Sequence, residues 1–171
     1  MQLQFRKMAS STEPLQFHQE VDVSRAVEGR DDVSNLQPLQ ADLKATYLGP
    51  LIPDTVDVQG KLSVQLDMVC ARCLTVVHEH LHIPFHEQLK QGKQPEEFRE
   101  EDDTIYVDNE IVDLVPLVEE SFLLHLPQTV LCKSTCKGLC PNCGVDLNEG
   151  TCNCDKQRVD PRLEALQNFF K

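Results

Sequence analysis

The side chains best suited to chemistry in this chain are its cysteines. There are eight in 171 residues, and six of them fall in CKSTCKGLCPNCGVDLNEGTCNC, positions 132–154. A structural metal site takes four soft ligands, usually as two short pairs, because a gap of two residues lets both sulfurs turn toward one ion. Cys140-Pro-Asn-Cys143 has that form, and Gly144 permits the tight turn that aims backbone amides at sulfur. Its complement is Cys152-Asn-Cys154, although a gap of one residue is unusual. The remaining four, Cys70, Cys73, Cys132 and Cys136, make a CxxC and a CxxxC pair. Their spacing predicts a second four-cysteine site that ties residues 70–73 to the tail. Two alternatives stay open: Cys136 joins the first set, or Cys70 and Cys73 are ordinary buried thiols. Four protein thiolates leave no coordination position for water or substrate, so one or two structural zinc ions are expected.

Two further motifs compete for attention. A redox-active CxxC generally sits at a helix N-terminus, which lowers the thiol pKa, whereas Cys70-Ala-Arg-Cys73 stands between two strand-like segments. His78-Glu79-His80-Leu81-His82 matches HExxH, whose chemistry needs a helix to bring the outer histidines onto one face with the glutamate as base. Here Val76-Val77 precede it, Ile83-Pro84 follow, and a proline at 84 would clash with the His80 carbonyl in a helix. On a strand His78 and His82 stand roughly 13–14 Å apart at about 3.4 Å per residue. The three histidines therefore read as the solvent face of a half-buried strand. Phosphate-loop, nucleophile-elbow and dinucleotide motifs are missing from the sequence. No catalytic residue is assigned, and an enzyme is not expected.

The elements that must position the cysteines are mostly strands. Val56, Val58, Leu62, Val64, Leu66, Met68 and Cys70 occupy even positions, with Gly60 read as a bulge or bend. Val77, Leu81, Ile83 and Phe85 then alternate on odd positions, which makes a hairpin turning at Ala71-Arg72. Earlier, Gln16–Val23 and Ala41–Tyr47 alternate more weakly. The segment 91–103, QGKQPEEFREEDD, is an acidic connector, either solvated or a docking patch for a basic partner. A short strand at Thr104–Val107 follows. Asp113 is expected to cap a helix to about His125, with Pro116 tolerated in its first turn and Pro127 stopping it. Asp160-Pro161 opens a short C-terminal amphipathic helix carrying Leu163, Leu166 and Phe170. The predicted class is α+β: an antiparallel β-rich core, barrel-like or a twisted sheet, with one or two packed helices and a small C-terminal zinc lobe. The expected domains are 1–131 and 132–171.

The formal charge is −12, which disfavours broad contact with nucleic acid. Residues 1–131 carry 10 basic and 23 acidic side chains, whereas 132–171 carry six and five. A basic protein is the more natural partner, and any RNA contact must be local. No run approaches the roughly 18 apolar residues that span a membrane, and the N-terminus lacks an apolar signal core. A cytoplasmic location follows as an expectation, one in which clustered cysteines more often bind metal than form disulfides.

CARCL at 70–74, the acidic connector, IVDLVPLVEESFLLHLP at 111–127, CKGLCPNCGVDLNEG with CNC to 154, and DPRLEALQNFFK at 160–171 together resemble the YceD family. This is the large ribosomal RNA subunit accumulation group, and the likeness extends over nearly the full length after about residue 15. The resemblance implies a non-enzymatic role in accumulation or maturation of large-subunit (23S) rRNA and hands over no catalytic residues. Reconciled with the charge, it leads to a ribosome biogenesis factor that binds a ribosomal protein or a large-subunit assembly intermediate, with neither membrane nor small-molecule substrate. Lys133, Lys137, Arg158 and Arg162 are the candidates for a small RNA contact. The competing readings are a zinc-ribbon module that binds RNA directly and a thiol redox factor.

Overall fold

Alternation of apolar and polar residues commits the chain to one-sided strands, and these assemble as expected in a computed structural model that describes residues 1–11, 13–49, 51–93 and 104–154. Two compact units result: Met1–Met68 with Val77–Gln128, and Val69–Val76 with the chain from Thr129 onward. The second unit is thus discontinuous, since it takes in the turn that carries Cys70 and Cys73.

The first unit is built on an open sheet. Its strands are β2 (Leu15–Val21), β3 (Val33–Ser34), β4 (Leu39–Tyr47), β5 (Thr55–Val69), β6 (Val76–Gln91) and β7 (Thr104–Val107). The order is β2-β4-β5-β6-β7, with β3 also on β5, so among the described residues the sheet is open rather than a closed barrel. A separate antiparallel pair joins β1 (Gln2–Gln4) to β8 (Ile111–Asp113). Among the described residues it also has two α-helices, α1 (Phe5–Ser10) and α2 (Val115–His125), and a 3-10 turn at Ser24–Val27. Even positions of β5 and odd positions of β6 point inward. Leu62, Val64, Leu66, Met68, Ile83, Phe85 and Leu89 are buried beside Leu39, Ala41, Leu43 and Ala45 of β4. Leu3, Phe5 and Met8 from the N-terminal segment and Leu114, Val118 and Phe122 around α2 are buried as well. Burying each large apolar side chain contributes about 1.5–3 kcal/mol.

Four sequence expectations meet a different structure. Gly60 is not a bulge: the β4–β5 register runs without interruption from Gln40↔Ser63 to Tyr47↔Val56. The glycine is needed because β4 presses on it, and a Cβ there would overlap the Asp42 carbonyl and come within 2.9 Å of Leu43 Cα. The turn between β5 and β6 is also wider than Ala71-Arg72, occupying the six positions between Val69 and Val76. β7 runs parallel to β6, pairing Gln88↔Thr104 to Gln91↔Val107. The intervening segment is long enough for such a crossover, which takes a dozen or more residues. Asp113 does support α2, but from one position before its N-cap Leu114, its Oδ1 accepting from the Val115 N–H at 3.1 Å. The acidic connector from residue 94 and the C-terminal segment 160–171 lie outside the described residues. Among the described residues, no helix is long and apolar enough to cross a membrane.

Replacing Gly60 with alanine is expected to cost about 1–3 kcal/mol through overpacking against β4, read as a lower urea midpoint with an unchanged slope. An unchanged midpoint would refute the close approach.

Candidate metal centres

Both CxxC turns obey the same local rule. At the end of β5 the Cys70 N–H donates to the Thr75 carbonyl at 2.9 Å, and the Leu74 N–H donates back to the Cys70 carbonyl at 3.0 Å. In the tail the Cys140 N–H donates to Val145 O at 2.8 Å, and the Gly144 N–H donates to Cys140 O at 2.8 Å. The residue after the second cysteine must then be left-handed: Gly144 has φ 73° and Leu74 has φ 61°. In each turn the backbone amides two and three positions on point at the first sulfur. Hydrogen bonds from the Cys73 N–H foremost, then those of Cys132 and Arg72, hold the Cys70 thiol down at about 6. Those from Cys143 and Asn142, with the Cys152 thiol, do the same for Cys140, also about 6.

The second half of each set comes from further along. Cys70 forms a parallel bridge with Val130, and the Ala71 N–H donates to the Val130 carbonyl at 3.0 Å, so the tail enters beside the turn. Arg72 then binds the tail at both of its ends. Its Nη1 donates to Cys136 O at 2.8 Å, and its own carbonyl accepts the Leu139 N–H at 2.9 Å. Gly138, at φ 75°, has no room for a side chain because a Cβ would lie 2.8 Å from Arg72 O. These contacts bring Cys70, Cys73, Cys132 and Cys136 together. Cys140, Cys143, Cys152 and Cys154 form the other group, and within each group the sulfurs all lie within 4.8 Å of one another. Cys136 thus stands in the group with Cys70. All eight thiols are free of disulfides.

Both sets fit a metal ion. A tetrahedron of sulfurs at about 2.3 Å from its centre has edges of about 3.8 Å. The Cys73–Cys132 and Cys70–Cys136 sulfurs are 3.5 and 3.9 Å apart. Within each set one thiol is held against ionisation. Hydrogen bonding to the Cys73 side chain pushes Cys132 up to about 12, and the Cys143 thiol does the same to Cys154, likewise about 12. Within each set, hydrogen bonding thus favours the thiolate at one sulfur and the thiol at another. A bound cation would pull the remaining protons off, because thiolate is the ligand form. The first set is the better shielded, with Cys70, Cys73 and Cys136 buried and Cys132 exposed. In the second only Cys140 is buried.

Elsewhere the expectations separate. His78, His80 and His82 lie on the exposed face of β6, not on a helix, with His78 bonded to Asp67 across the sheet. Lys133 and Lys137 are exposed beside the first set, while Arg158 and Arg162 lie outside the described residues. Arg72, Gly138 and Asn148 were missed by spacing arguments. Only the last left a trace in the sequence, as the Asp146-x-Asn148 pattern typical of side chains that bond their own backbone.

A family model described as Large ribosomal RNA subunit accumulation protein YceD matches residues 58–170, well over half of the chain and all eight cysteines. An uncharacterised protein of Bacillus subtilis, YlbN, is 25 % identical over 157 residues, covering 91 % of this chain and 88 % of that one. An uncharacterised protein of Mycobacterium tuberculosis is 31 % identical over 116 residues, 67 % of this chain, and the match spans 56 % of that longer protein. A chloroplastic protein of Arabidopsis thaliana, large ribosomal RNA subunit accumulation protein YCED homolog 1, is 31 % identical over 58 residues, 34 % of this chain and 18 % of that one. No solved structure gives a significant match.

Leu74 is 64 % exposed yet left-handed, so its side chain has little burial to lose. Replacing it with glycine is expected to raise stability by about 0.5–1 kcal/mol, the relief of a left-handed non-glycine residue less the entropy of glycine. Chemical denaturation checks this, and a destabilised variant would show that the side chain is held in contacts of its own.

Proposed function

The chain belongs to the YceD family, and we propose that it is a non-enzymatic ribosome biogenesis factor that supports accumulation of large-subunit rRNA, with a structural zinc ion in each cysteine set. The observation that carries this reading is the family match over residues 58–170, which takes in both sets of cysteines. The name of the Arabidopsis relative points the same way. Zinc is favoured because a closed tetrahedron of four thiolates suits it and leaves no open position for a reaction.

The charge argues for how such a factor would work. At −12, and about two units more negative for each occupied four-thiolate site, the chain is a poor clamp for phosphate but well suited to steering a basic ribosomal protein or assembly factor toward it. A second reading, direct RNA binding by the tail, is favoured among the described residues by the exposed Lys133 and Lys137, next to Cys132 and Cys136. A cytoplasmic location fits this role, which meets its partners where ribosomes are assembled.

Affinity purification of the tagged chain from cells is expected to enrich precursor large subunits or one free large-subunit protein, with the complex weakening sharply as salt is raised. Charge reversal at Lys133 and Lys137 should leave that enrichment in place if the partner is a basic protein, and abolish it if RNA is held directly. Enrichment of neither particle nor protein over a control would overturn the ribosome-assembly reading.

A further inference from the structure

The two cysteine sets share no ligand, but one side chain joins them. Asn148 belongs to the segment between Cys143 and Cys152, inside the second set, and reaches a ligand of the first. Its Nδ2 donates to Cys136 Sγ at 3.5 Å and to Asp146 Oδ1 at 2.7 Å. Its Oδ1 accepts the Lys137 N–H at 2.9 Å. The Asn148 main-chain N–H also donates to Asp146 Oδ1 at 2.8 Å, which fixes the start of the side chain. Two acceptors on one side and a donor on the other match a carboxamide and settle which end is nitrogen. No other uncharged side chain of this length makes all three bonds.

The hairpin that leads to Asn148 carries Cys140 and Cys143 of the second set at its end. Leu139 and Asp146 form an antiparallel bridge, and the Leu147 N–H donates to Gly138 O at 2.9 Å. The end of that hairpin is the Cys140–Cys143 turn, with Gly144 left-handed. An ion on Cys140 and Cys143 would hold this turn shut and so hold Asn148 against Cys136. In the other direction, an ion on Cys136 would fix the acceptor that Asn148 needs. Donors to a metal-bound thiolate orient the ligand and offset its charge, and their loss typically weakens metal binding by 10–100-fold.

We propose that Asn148 is a positioning residue that couples the two metal sites, so that filling either one strengthens the other. This rests on the metal-binding reading above. Linkage requires the effect to be reciprocal.

The test is a Co²⁺ titration of the metal-free, fully reduced whole chain, followed by charge-transfer absorption and by native mass spectrometry. The wild-type chain is expected to pass from empty to doubly loaded with little singly loaded species. Asn148→Ala should still bind two ions, but with singly loaded protein accumulating and with one site about 10–100-fold weaker. Its sulfur-to-cobalt band should move to longer wavelength, which a merely structural loss would not produce. Asn148→Asp keeps an acceptor for Lys137, removes the donor to Cys136 and adds a negative charge beside it, so its first site should be at least as weak as in the alanine variant. Emptying the second set with Cys140→Ser and Cys143→Ser should weaken the first site in the Asn148 protein but add nothing in the Asn148→Ala background. Equal weakening in both backgrounds, or unchanged loading in Asn148→Ala, overturns the coupling alone. A wild-type chain that binds no Co²⁺ overturns the metal reading and the coupling with it.

Discussion

Four thiols held within 4.8 Å of one another are an arrangement that could hold a cation. As neutral groups they make weak hydrogen bonds, and as thiolates they repel. The set formed by Cys70, Cys73, Cys132 and Cys136 is the constraint on which the second unit depends, because its two halves lie 59 residues apart at Cys73 and Cys132. Closing a loop of that length removes about 4 kcal/mol of entropy from the unfolded chain. The backbone around it is arranged for that closure. Arg72 bonds the tail from both ends, Gly138 lies where a side chain would strike the Arg72 carbonyl, and Leu74 accepts a left-handed conformation to complete the turn.

The closure bears directly on function. A four-thiolate metal site, as proposed here, holds shape, and the HExxH sequence lies on a strand with its histidines facing outward. Beside the first set the tail carries the exposed Lys133 and Lys137, on a chain that is otherwise strongly acidic. That contrast suits the basic partner proposed above, whereas the family's description speaks only of large ribosomal RNA subunit accumulation. In the proposed coupling, Asn148 links the loading of one cysteine set to that of the other.

The parts of this structure that could be read from the sequence are those governed by period or by short spacing. Strict alternation in β5 and β6 places Leu62, Leu66, Ile83 and Phe85 inward because a strand has only two faces. The same rule explains why His78, His80 and His82 share the outer one. The cysteine pairs were legible because a gap of two residues brings two sulfurs to one point. Features that depend on neighbours remote in sequence were not. Gly60 looked like a bulge because nothing nearby says that the β4 backbone presses on it. β7 gave no sign of pairing parallel to β6, since its four residues carry no orientation signal. β1 and α1 were missed because Leu3, Phe5 and Met8 are too few to show a period, although all three are buried. Leu74 was missed because leucine is an unlikely residue for a left-handed turn, and only its likeness to Gly144 in three dimensions reveals the shared motif.

The central claim is that metal, not disulfide or packing alone, holds the cysteine sets together. Native mass spectrometry of the chain purified under reducing conditions, with X-ray absorption at the zinc edge, tests it most directly. The account predicts two zinc ions per chain, each surrounded by sulfur alone at about 2.3 Å. A folded protein that carries no metal and eight reactive thiols, or one whose zinc has nitrogen or oxygen neighbours, would contradict it.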